Sequence, residues 1–184
     1  SVAIAGLGGL GSNIAMYLAR AGVGHLHLVD FDKVDITNLN RQQYDIADLG
    51  TLKTDALTKN IKRFNPFIEI TSQCVKVNED NAAEIFGGYK IVCEAFDKAE
   101  NKAMLVNSIL SECGDTKIVS GSGMAGFGSS NTIVTRKIND RFYLCGDAES
   151  DMNDGLALVA PRVAICAAHE ANMILRLLIG EKEV

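Results

Sequence analysis

The sequence predicts an α/β fold with a mostly parallel sheet, helices on both faces, and antiparallel strands added near the C-terminus. Short apolar runs alternate with segments of helical period from the first residues onward. A glycine-rich turn joins the first apolar run to the first helical segment, as in a strand, turn and helix unit. Late in the chain, two strand-like runs flank Asn139-Asp140, a two-residue hairpin turn. Together these observations predict a Rossmann-like architecture.

The first unit is a strand, a tight turn and a helix. Residues 2–6 form a short apolar run that ends in glycine, and Leu10, Ile14 and Leu18 then recur at a spacing of four. An apolar strand follows over residues 25–29. Because parallel strands need a crossover connection, which is nearly always right-handed, we expect this helix to cover one face of a parallel sheet.

A long polar segment, residues 31–52, comes next. Long connections without regular structure are usually functional in compact domains, so we expect a site loop here. The alternation of helix and strand then resumes. The predicted elements are a helix at 53–64, a strand at 68–75, a helix at 78–86, a strand at 91–95, a helix at 99–111 and a strand at 118–122.

The C-terminal part is predicted to end the sheet and cover it. Residues 132–138 and 141–145 form the two arms of the hairpin, and an acidic stretch bounded by glycines follows at 146–155. An apolar helix over residues 161–178 comes last. Since no repeat or linker interrupts the chain, we expect residues 1–184 to form a single domain.

Charge and cysteine usage exclude several classes of protein. The chain carries 18 Lys and Arg against 23 Asp and Glu, a net charge of −5, which disfavours nucleic acid and anionic membranes as partners. No apolar run reaches the roughly 20 residues of a membrane helix. The five cysteines include no Cys-x-x-Cys pair, so we expect neither a disulfide framework nor a zinc ribbon. A reducing, cytoplasmic compartment fits best.

The glycine-rich turn carries the first binding signal. Gly6, Gly8, Gly9 and Gly11 lie between a predicted strand and helix, where glycines let the backbone approach a ligand and helix N–H groups face phosphate. Asp30 ends the next strand, from which a carboxylate can accept hydrogen bonds from ribose hydroxyls. These residues predict an adenine nucleotide. At this point NAD fits as well as ATP.

Two cations favour the triphosphate. Arg41 and Lys53 are brought by one loop to the same edge of the sheet, where they could neutralise phosphoryl oxygens. Taken alone, each would more often be an ordinary solvated side chain, since most Lys and Arg residues are exposed. A dehydrogenase, however, places only two phosphates and keeps cations away from its positively charged nicotinamide ring. The pair therefore indicates ATP.

A longer series of motifs resembles a known family. In chain order it comprises Gly6-Leu-Gly-Gly-Leu-Gly-Ser12, Asp30-x-Asp32-x-Val34, Asn38-Leu-Asn-Arg-Gln42, Lys53 and Asp97. This series resembles the adenylation domain of the ubiquitin-activating-enzyme superfamily. Within it the chain is most similar to the small ThiF-type enzymes, with the MoeB and HesA types as near relatives. The resemblance spans nearly the whole chain, and the Asn-Leu-Asn-Arg-Gln element is its most specific part.

The resemblance implies an activity and its partners. It implies an ATP-dependent adenylyltransferase that activates the C-terminal carboxylate of a ubiquitin-like sulfur carrier, of the kind used in thiamine biosynthesis, and releases pyrophosphate. The carrier would end in a diglycine, and the enzyme would use Mg²⁺ and form a homodimer. Adenylation joins two anions, so the protein must supply placement and positive charge rather than a nucleophile.

The resemblance also implies a role for each motif residue. Asp30 would hold the ribose, and Asp97 would position Mg²⁺, although Asp97 could instead cap the helix that follows it. The implied catalytic residues are Arg41, Lys53 and Asp97. The implied nucleotide-binding residues are Gly6, Gly8, Gly9, Gly11, Asp30, Asp32, Asn38 and Gln42, with Asn38, Arg41, Gln42 and Lys53 on the phosphates.

The chain also departs from the family pattern. Many relatives carry two Cys-x-x-Cys pairs that bind zinc, and their absence here predicts no zinc. Several relatives carry a cysteine before the final helix that bonds to the carrier. The nearest candidate here is Cys145, whose place at a strand end is typical of an inert core residue. We expect the acidic stretch at 146–155 to cover the carrier's tail, although acidic loops are often simply solvated.

Three other functions fit parts of the sequence. An NAD-dependent oxidoreductase would leave Arg41, Lys53 and Asp97 without roles. A tRNA-modifying dehydratase of the same superfamily is disfavoured by the net charge of −5 and the lack of a basic stripe. A non-catalytic binding subunit would be expected to have lost phosphate-site residues, and here all of them are present.

Overall fold

The computed structural model describes residues 1–150 and 155–184. Across these residues the chain forms seven strands and five α-helices. The strands are β1 (Val2–Ala5), β2 (His25–Val29), β3 (Glu69–Gln73), β4 (Ile91–Glu94), β5 (Lys117–Gly121), β6 (Val134–Lys137) and β7 (Phe142–Gly146). The helices are α1 (Gly9–Arg20), α2 (Lys53–Lys62), α3 (Glu79–Phe86), α4 (Ala99–Glu112) and α5 (Ala160–Leu178). None of these helices combines the length and apolarity needed to cross a lipid bilayer.

All seven strands belong to one sheet, in the order β3-β2-β1-β4-β5-β7-β6. Every neighbouring pair from β3 through β7 is parallel, and β6 pairs antiparallel with β7. The predicted hairpin is thus confirmed, with β7 parallel to β5. Its turn is longer than the predicted two residues, because the N–H of Ile138 bonds to the carbonyl of Phe142 and residues 139–141 connect them. The long connection after β5 carries the chain to the far edge, and the hairpin then brings β7 back against β5. The chain winds outward in opposite directions from β1 and β4, so a topological switch point lies between these two strands.

Helices cover both faces of the sheet, as predicted. One face packs against α1, α2 and α5, and the other packs against α3 and α4. The alternation of side chains along β1 shows how: Val2 and Ile4 join the first core, while Ala3 and Ala5 join the second. Because both faces are buried, the central strands are continuously apolar, which explains the short apolar runs in the sequence.

The edge strand β3 is shorter than predicted. It spans five residues rather than the predicted 68–75, and most of its side chains are exposed. It pairs only with β2, since it ends the sheet. An edge strand packed on one side needs less apolar surface than a central strand. Its first and last residues are therefore only weakly indicated by the sequence.

Candidate functional site

A cleft of about 680 Å³ opens at the carboxyl ends of the parallel strands, across the switch point between β1 and β4. Open α/β sheets bind their ligands at this position. All of the residues predicted from the motifs line this cleft except Gly11. They are Gly6, Gly8, Gly9, Asp30, Asp32, Asn38, Arg41, Gln42, Lys53 and Asp97.

The glycine turn forms one wall of the cleft. Gly6 has a φ of +89°, and a Cβ atom there would approach the carbonyl oxygen of Ala95 to 2.8 Å. Only glycine adopts this conformation without strain. Helix α1 begins at Gly9, and its N-cap residue, Gly8, provides no side-chain cap. The N–H groups of the first helical turn are therefore available to an anion in the cleft.

Gly11 has a different role. It lies inside α1, where an added Cβ would overlap the backbone oxygen of Gly6. Its missing side chain lets the helix approach the end of β1, which is the packing role of the third glycine in such turns. Gly11 thus supports the turn from behind and does not line the cleft.

Asp30 is held rigidly at the end of β2. Its Oδ2 accepts a hydrogen bond from the backbone N–H of Leu7 at 2.6 Å, and its Oδ1 accepts one from that of Asp32 at 2.8 Å. Only 8% of the residue is exposed. Burial raises its pKa, and the Lys53 ammonium and the two N–H groups act against this rise. Each oxygen retains a further lone pair that could accept from a ribose hydroxyl.

Lys53 is buried at the start of α2. Its Nζ lies 3.0 Å from Oδ2 of Asp32, and 7% of its side chain is exposed. A cation at a helix N-terminus faces the positive end of the helix dipole, which is unfavourable. Asp32 and Asp30 compensate for this placement. An ammonium has three donors, so Lys53 could keep Asp32 and still donate to a phosphate.

The segment around Arg41 presents polar atoms that have no partner within the described residues. The Arg41 Nη1 donates to the carbonyl of Thr37 at 3.1 Å and to the side chain of Asn40 at 2.8 Å. Its Nε, and Oε1 of the neighbouring Gln42, are buried without a hydrogen bond. Unpaired buried polar groups are costly, and a polar ligand in the cleft would satisfy them. This arrangement fits a bound nucleotide.

Helix α1 holds this segment in place through residues that the sequence analysis did not identify. Asn13 donates to the carbonyl of Arg41 at 3.0 Å and accepts from Nε2 of Gln43 at 2.7 Å. The hydroxyl of Tyr44 donates to the carbonyl of Leu7 at 2.8 Å. The signal for Asn13 was a polar residue on the buried face of an apolar helix, one position before Ile14.

Asp97 follows β4 and is exposed in the cleft. Helix α4 has Lys98 as its N-cap, with no side-chain capping bond, so Asp97 does not cap this helix. No cluster of three His, Cys, Asp or Glu that could hold a metal occurs among the described residues. Mg²⁺ is commonly held by one or two carboxylates together with substrate phosphates. A single carboxylate at Asp97 therefore fits Mg²⁺ together with a bound triphosphate.

The acidic stretch at 146–155 is described only in part, because residues 151–154 lie outside the described residues. Asp147 forms an ion pair with Arg162, with 10% and 5% of their side chains exposed. Burial opposes ionisation of Asp147, but hydrogen bonds from Ser150, Glu149 and Arg162 lower its pKa to about 2. Asp147 is thus a buried ion-pair partner of α5. The cover over a carrier tail stays a prediction.

The cysteines are free, and four of the five are buried, including Cys145. Cys145 is completely buried, and burial raises the pKa of its thiol far above the ordinary value. A thiolate is the reactive form, so Cys145 is an inert core residue in this conformation. Cys74 is the exposed cysteine.

Comparisons with known proteins identify the family of the chain. The chain matches the ThiF family over residues 1–184. It is 30% identical to the adenylyltransferase and sulfurtransferase UBA4 of Saccharomyces cerevisiae over 97% of this chain and 42% of that protein. It is 38% identical to UBA4 of Eremothecium gossypii over 67% of this chain and 28% of that protein. The chain therefore spans less than half the length of these relatives.

Solved structures share the fold. The E. coli tRNA N6-threonylcarbamoyladenosine dehydratase TcdA, solved in complex with ATP, superposes with a TM-score of 0.86 at 22% identity. The superposition covers 97% of this chain and 85% of that chain. The Rossmann-like architecture is thus confirmed by comparison as well as by the strand order.

Proposed function

Because the chain belongs to the ThiF family, we propose that it is an ATP-dependent adenylyltransferase that activates a C-terminal carboxylate and releases pyrophosphate. One observation carries the proposal. A single cleft joins an uncapped helix N-terminus, a rigid carboxylate at Asp30, and two cations, and the buried Arg41 Nε and Gln42 Oε1 in it have no partner within the described residues. This set of groups suits a nucleoside triphosphate better than a dinucleotide.

Each group has a distinct task in binding ATP. Asp30 accepts from the ribose hydroxyls, because its oxygens are already oriented by Leu7 and Asp32. The N–H groups at the start of α1 donate hydrogen bonds to phosphate oxygens. Arg41 and Lys53 supply positive charge, and Asn38 and Gln42 supply polar contacts beside them. The triphosphate is thereby placed over the end of β1.

The chemical step needs placement and charge more than a catalytic base. The substrate carboxylate is ionised at neutral pH and attacks the α-phosphorus, and the bond to the pyrophosphate oxygen breaks. Negative charge on the phosphoryl oxygens is offset by Arg41 and Lys53. Mg²⁺, held by Asp97 and the phosphates, would neutralise charge on the departing pyrophosphate. Holding the two anions in line is the main contribution of the protein.

We propose a ubiquitin-like sulfur carrier with a C-terminal diglycine as the substrate. The relatives named above are adenylyltransferases that are also sulfurtransferases, which supports a sulfur carrier. The narrower form of the proposal is the carrier of thiamine biosynthesis. We further propose a homodimer, and a reducing, cytoplasmic compartment in which the free cysteines remain reduced.

A dehydratase acting on a tRNA-linked carboxylate is the competing function within this fold. TcdA, which shares this fold at 22% identity, is named as such a dehydratase, and this name raises the alternative. The net charge of −5 argues against tRNA, because phosphate backbones are bound by clustered positive charge.

The test is ATP–pyrophosphate exchange with a panel of acceptors. The panel contains diglycine-ending sulfur carriers, among them that of thiamine biosynthesis, each also without its last glycine, and bulk tRNA. We expect exchange with at least one intact carrier, none with its truncated form, and none with tRNA. ATP with Mg²⁺ should raise the melting temperature through preferential binding to the folded state, while NAD should not. Stimulation by tRNA alone, or an equal shift with NAD, would overturn the proposal.

A further inference from the structure

A buried ion pair that the proposed function does not use lies beneath the turn carrying Asp97. Glu94 is the last residue of β4 and is completely buried. Nζ of Lys102, on α4, lies 3.0 Å from its Oε2 and 3.3 Å from its Oε1. The Lys102 side chain is 20% exposed and lines the cleft.

The Glu94 carboxylate connects four parts of the fold. Its Oε1 also accepts a hydrogen bond from the backbone N–H of Phe96 at 2.7 Å. Its Oε2 also accepts one from the hydroxyl of Ser120 on β5. One side chain therefore joins β4, β5, α4 and the turn at residues 95–98. Each residue that it contacts either lines the cleft or is next in sequence to a residue that does.

An ion pair at this place needs an explanation. Removing two charges from water costs free energy, and apolar residues in the same place often stabilise a fold equally well. Burial acts to lower the pKa of Lys102, but the carboxylates of Glu94 and Glu170 outweigh it and the pKa is raised. The lysine therefore stays charged beside Glu94.

The position of Asp97 depends on the backbone of this turn. Within the described residues, the Asp97 side chain makes no hydrogen bond that would orient it. The turn is held on one side by the bond from the N–H of Ala95 to the carbonyl of Ala5. On the other side it is held by Glu94 through Phe96, and by Lys102 at the start of α4.

We propose that Glu94 and Lys102 are positioning residues, which hold the turn so that the Asp97 carboxylate meets the metal-bound nucleotide at the floor of the cleft. This inference rests on the proposed function. It assigns no contact between Glu94 and the reacting atoms. Partners of a metal ligand that orient it in this way commonly matter nearly as much as the ligand itself.

The test removes both charges at once, with Glu94→Gln and Lys102→Met together. The double variant leaves no uncompensated charge in the core, and glutamine keeps an acceptor for the N–H of Phe96. Two readouts are followed: the Mg²⁺ concentration for half-maximal exchange, and the part of the ATP-induced rise in melting temperature that requires Mg²⁺. We expect the Mg²⁺ requirement to rise by about 10–100-fold and the Mg²⁺-dependent stabilisation to be largely lost.

The same double substitution is then made in an Asp97→Asn background. If the pair acts through Asp97, the double substitution should change exchange in the Asp97→Asn background by less than about twofold. The reason is that substitutions acting through the same residue do not have additive effects. Lys102→Arg keeps the charge and should retain most of the Mg²⁺ response. Glu112→Gln, an exposed acid at the end of the same helix, is the matched control and should change neither readout.

Two failures are distinguishable. If Asp97→Asn leaves the Mg²⁺ requirement unchanged, the role of Asp97 in the proposed function is wrong, and the inference falls with it. If Asp97→Asn raises that requirement but the double substitution does not, or has an equal effect with and without Asp97, only the inference is overturned. An equal effect would mean that Lys102 contacts the ligand directly.

Discussion

At the scale of single residues, the cleft is built from charges placed where local structure alone would disfavour them. Lys53 begins α2, facing the positive end of the helix dipole, and is almost fully buried. Asp30 is buried beside it, and burial raises its pKa. The charge of Lys53 is compensated by Asp30 and Asp32, and that of Asp30 by Lys53 and two backbone N–H groups. Such conflicts between local preference and observed placement are expected at functional sites.

The residue-scale prediction concerns Lys53. Lys53→Ala should lower carrier-dependent ATP–pyrophosphate exchange by roughly 10²–10³-fold, the usual scale for removing one group that stabilises developing charge. Asp32, whose side chain is 50% exposed, can be rehydrated, and the buried Asp30 keeps its two backbone N–H donors, so the protein should remain folded. Exchange assays and circular dichroism measure the two effects.

The matched control is Lys59→Ala on the same helix. Lys59 is 63% exposed and lies 3.6 Å from Asp48, away from the cleft. Its replacement should leave exchange within about twofold of the parent, because Lys59 does not line the cleft and Asp48 keeps its hydrogen bond from Asn60. Near-normal exchange in Lys53→Ala would instead show that Lys53 serves only the ion pair with Asp32.

At the scale of elements, the approach of α1 to β1 sets the shape of the phosphate-binding turn. Gly11 allows that approach, and Gly6 allows the chain to reverse under the end of β4. A pattern of four glycines thus contains two different requirements. Gly6, Gly8 and Gly9 line the cleft, Gly6 with a positive φ close to Ala95, while Gly11 leaves room for packing.

The element-scale prediction follows from this difference. Gly11→Ala should lower the free energy of unfolding by about 3 kcal/mol, since its Cβ would meet the rigid backbone oxygen of Gly6. Urea denaturation measures this change, and ATP titration should show weaker binding because the turn must shift.

Gly24→Ala provides the comparison. A Cβ at Gly24 meets no atom within 4 Å, and the residue does not have a positive φ. Its substitution should change stability by no more than about 0.5 kcal/mol. Equal stability of the two variants would mean that α1 can move away from β1 without cost.

At the scale of the whole molecule, one buried acid couples the fold to pH. Glu170 lies on α5 against the sheet and is completely buried. Its oxygens contact the thiols of Cys93 at 3.6 Å and Cys166 at 3.9 Å, which are weak donors. Burial raises its pKa from 4.5 to about 8, although Lys102 acts in the opposite direction.

The prediction is a loss of stability as the pH rises from 4.5 to about 8. In this window the folded protein keeps the Glu170 proton while the unfolded chain has released it, so unfolding releases protons and becomes easier as the pH increases. Glu170→Gln, which cannot ionise, should flatten the dependence and be more stable than the parent at pH 8.5. Urea unfolding at pH 5.5, 7 and 8.5 measures both proteins, and parallel curves would contradict the prediction.

The sequence by itself determined the α/β alternation, the glycine turn, and the set of polar residues that lines the cleft. These features are local: side-chain period distinguishes strand from helix, and the end of each parallel strand must reach the same edge of the sheet. Asp30, Arg41 and Lys53 could therefore be assigned to one site before their distances were known. The family resemblance added the expected role of each.

Only the tertiary structure decided which groups are buried together. The Glu94 and Lys102 ion pair joins a strand end to a helix, and its only sequence signal was a carboxylate closing an apolar strand. The direction of β7 and the packing role of Gly11 were likewise invisible in the sequence. The physical reason is that burial and cross-element contacts depend on strand order, which no local stretch of sequence encodes.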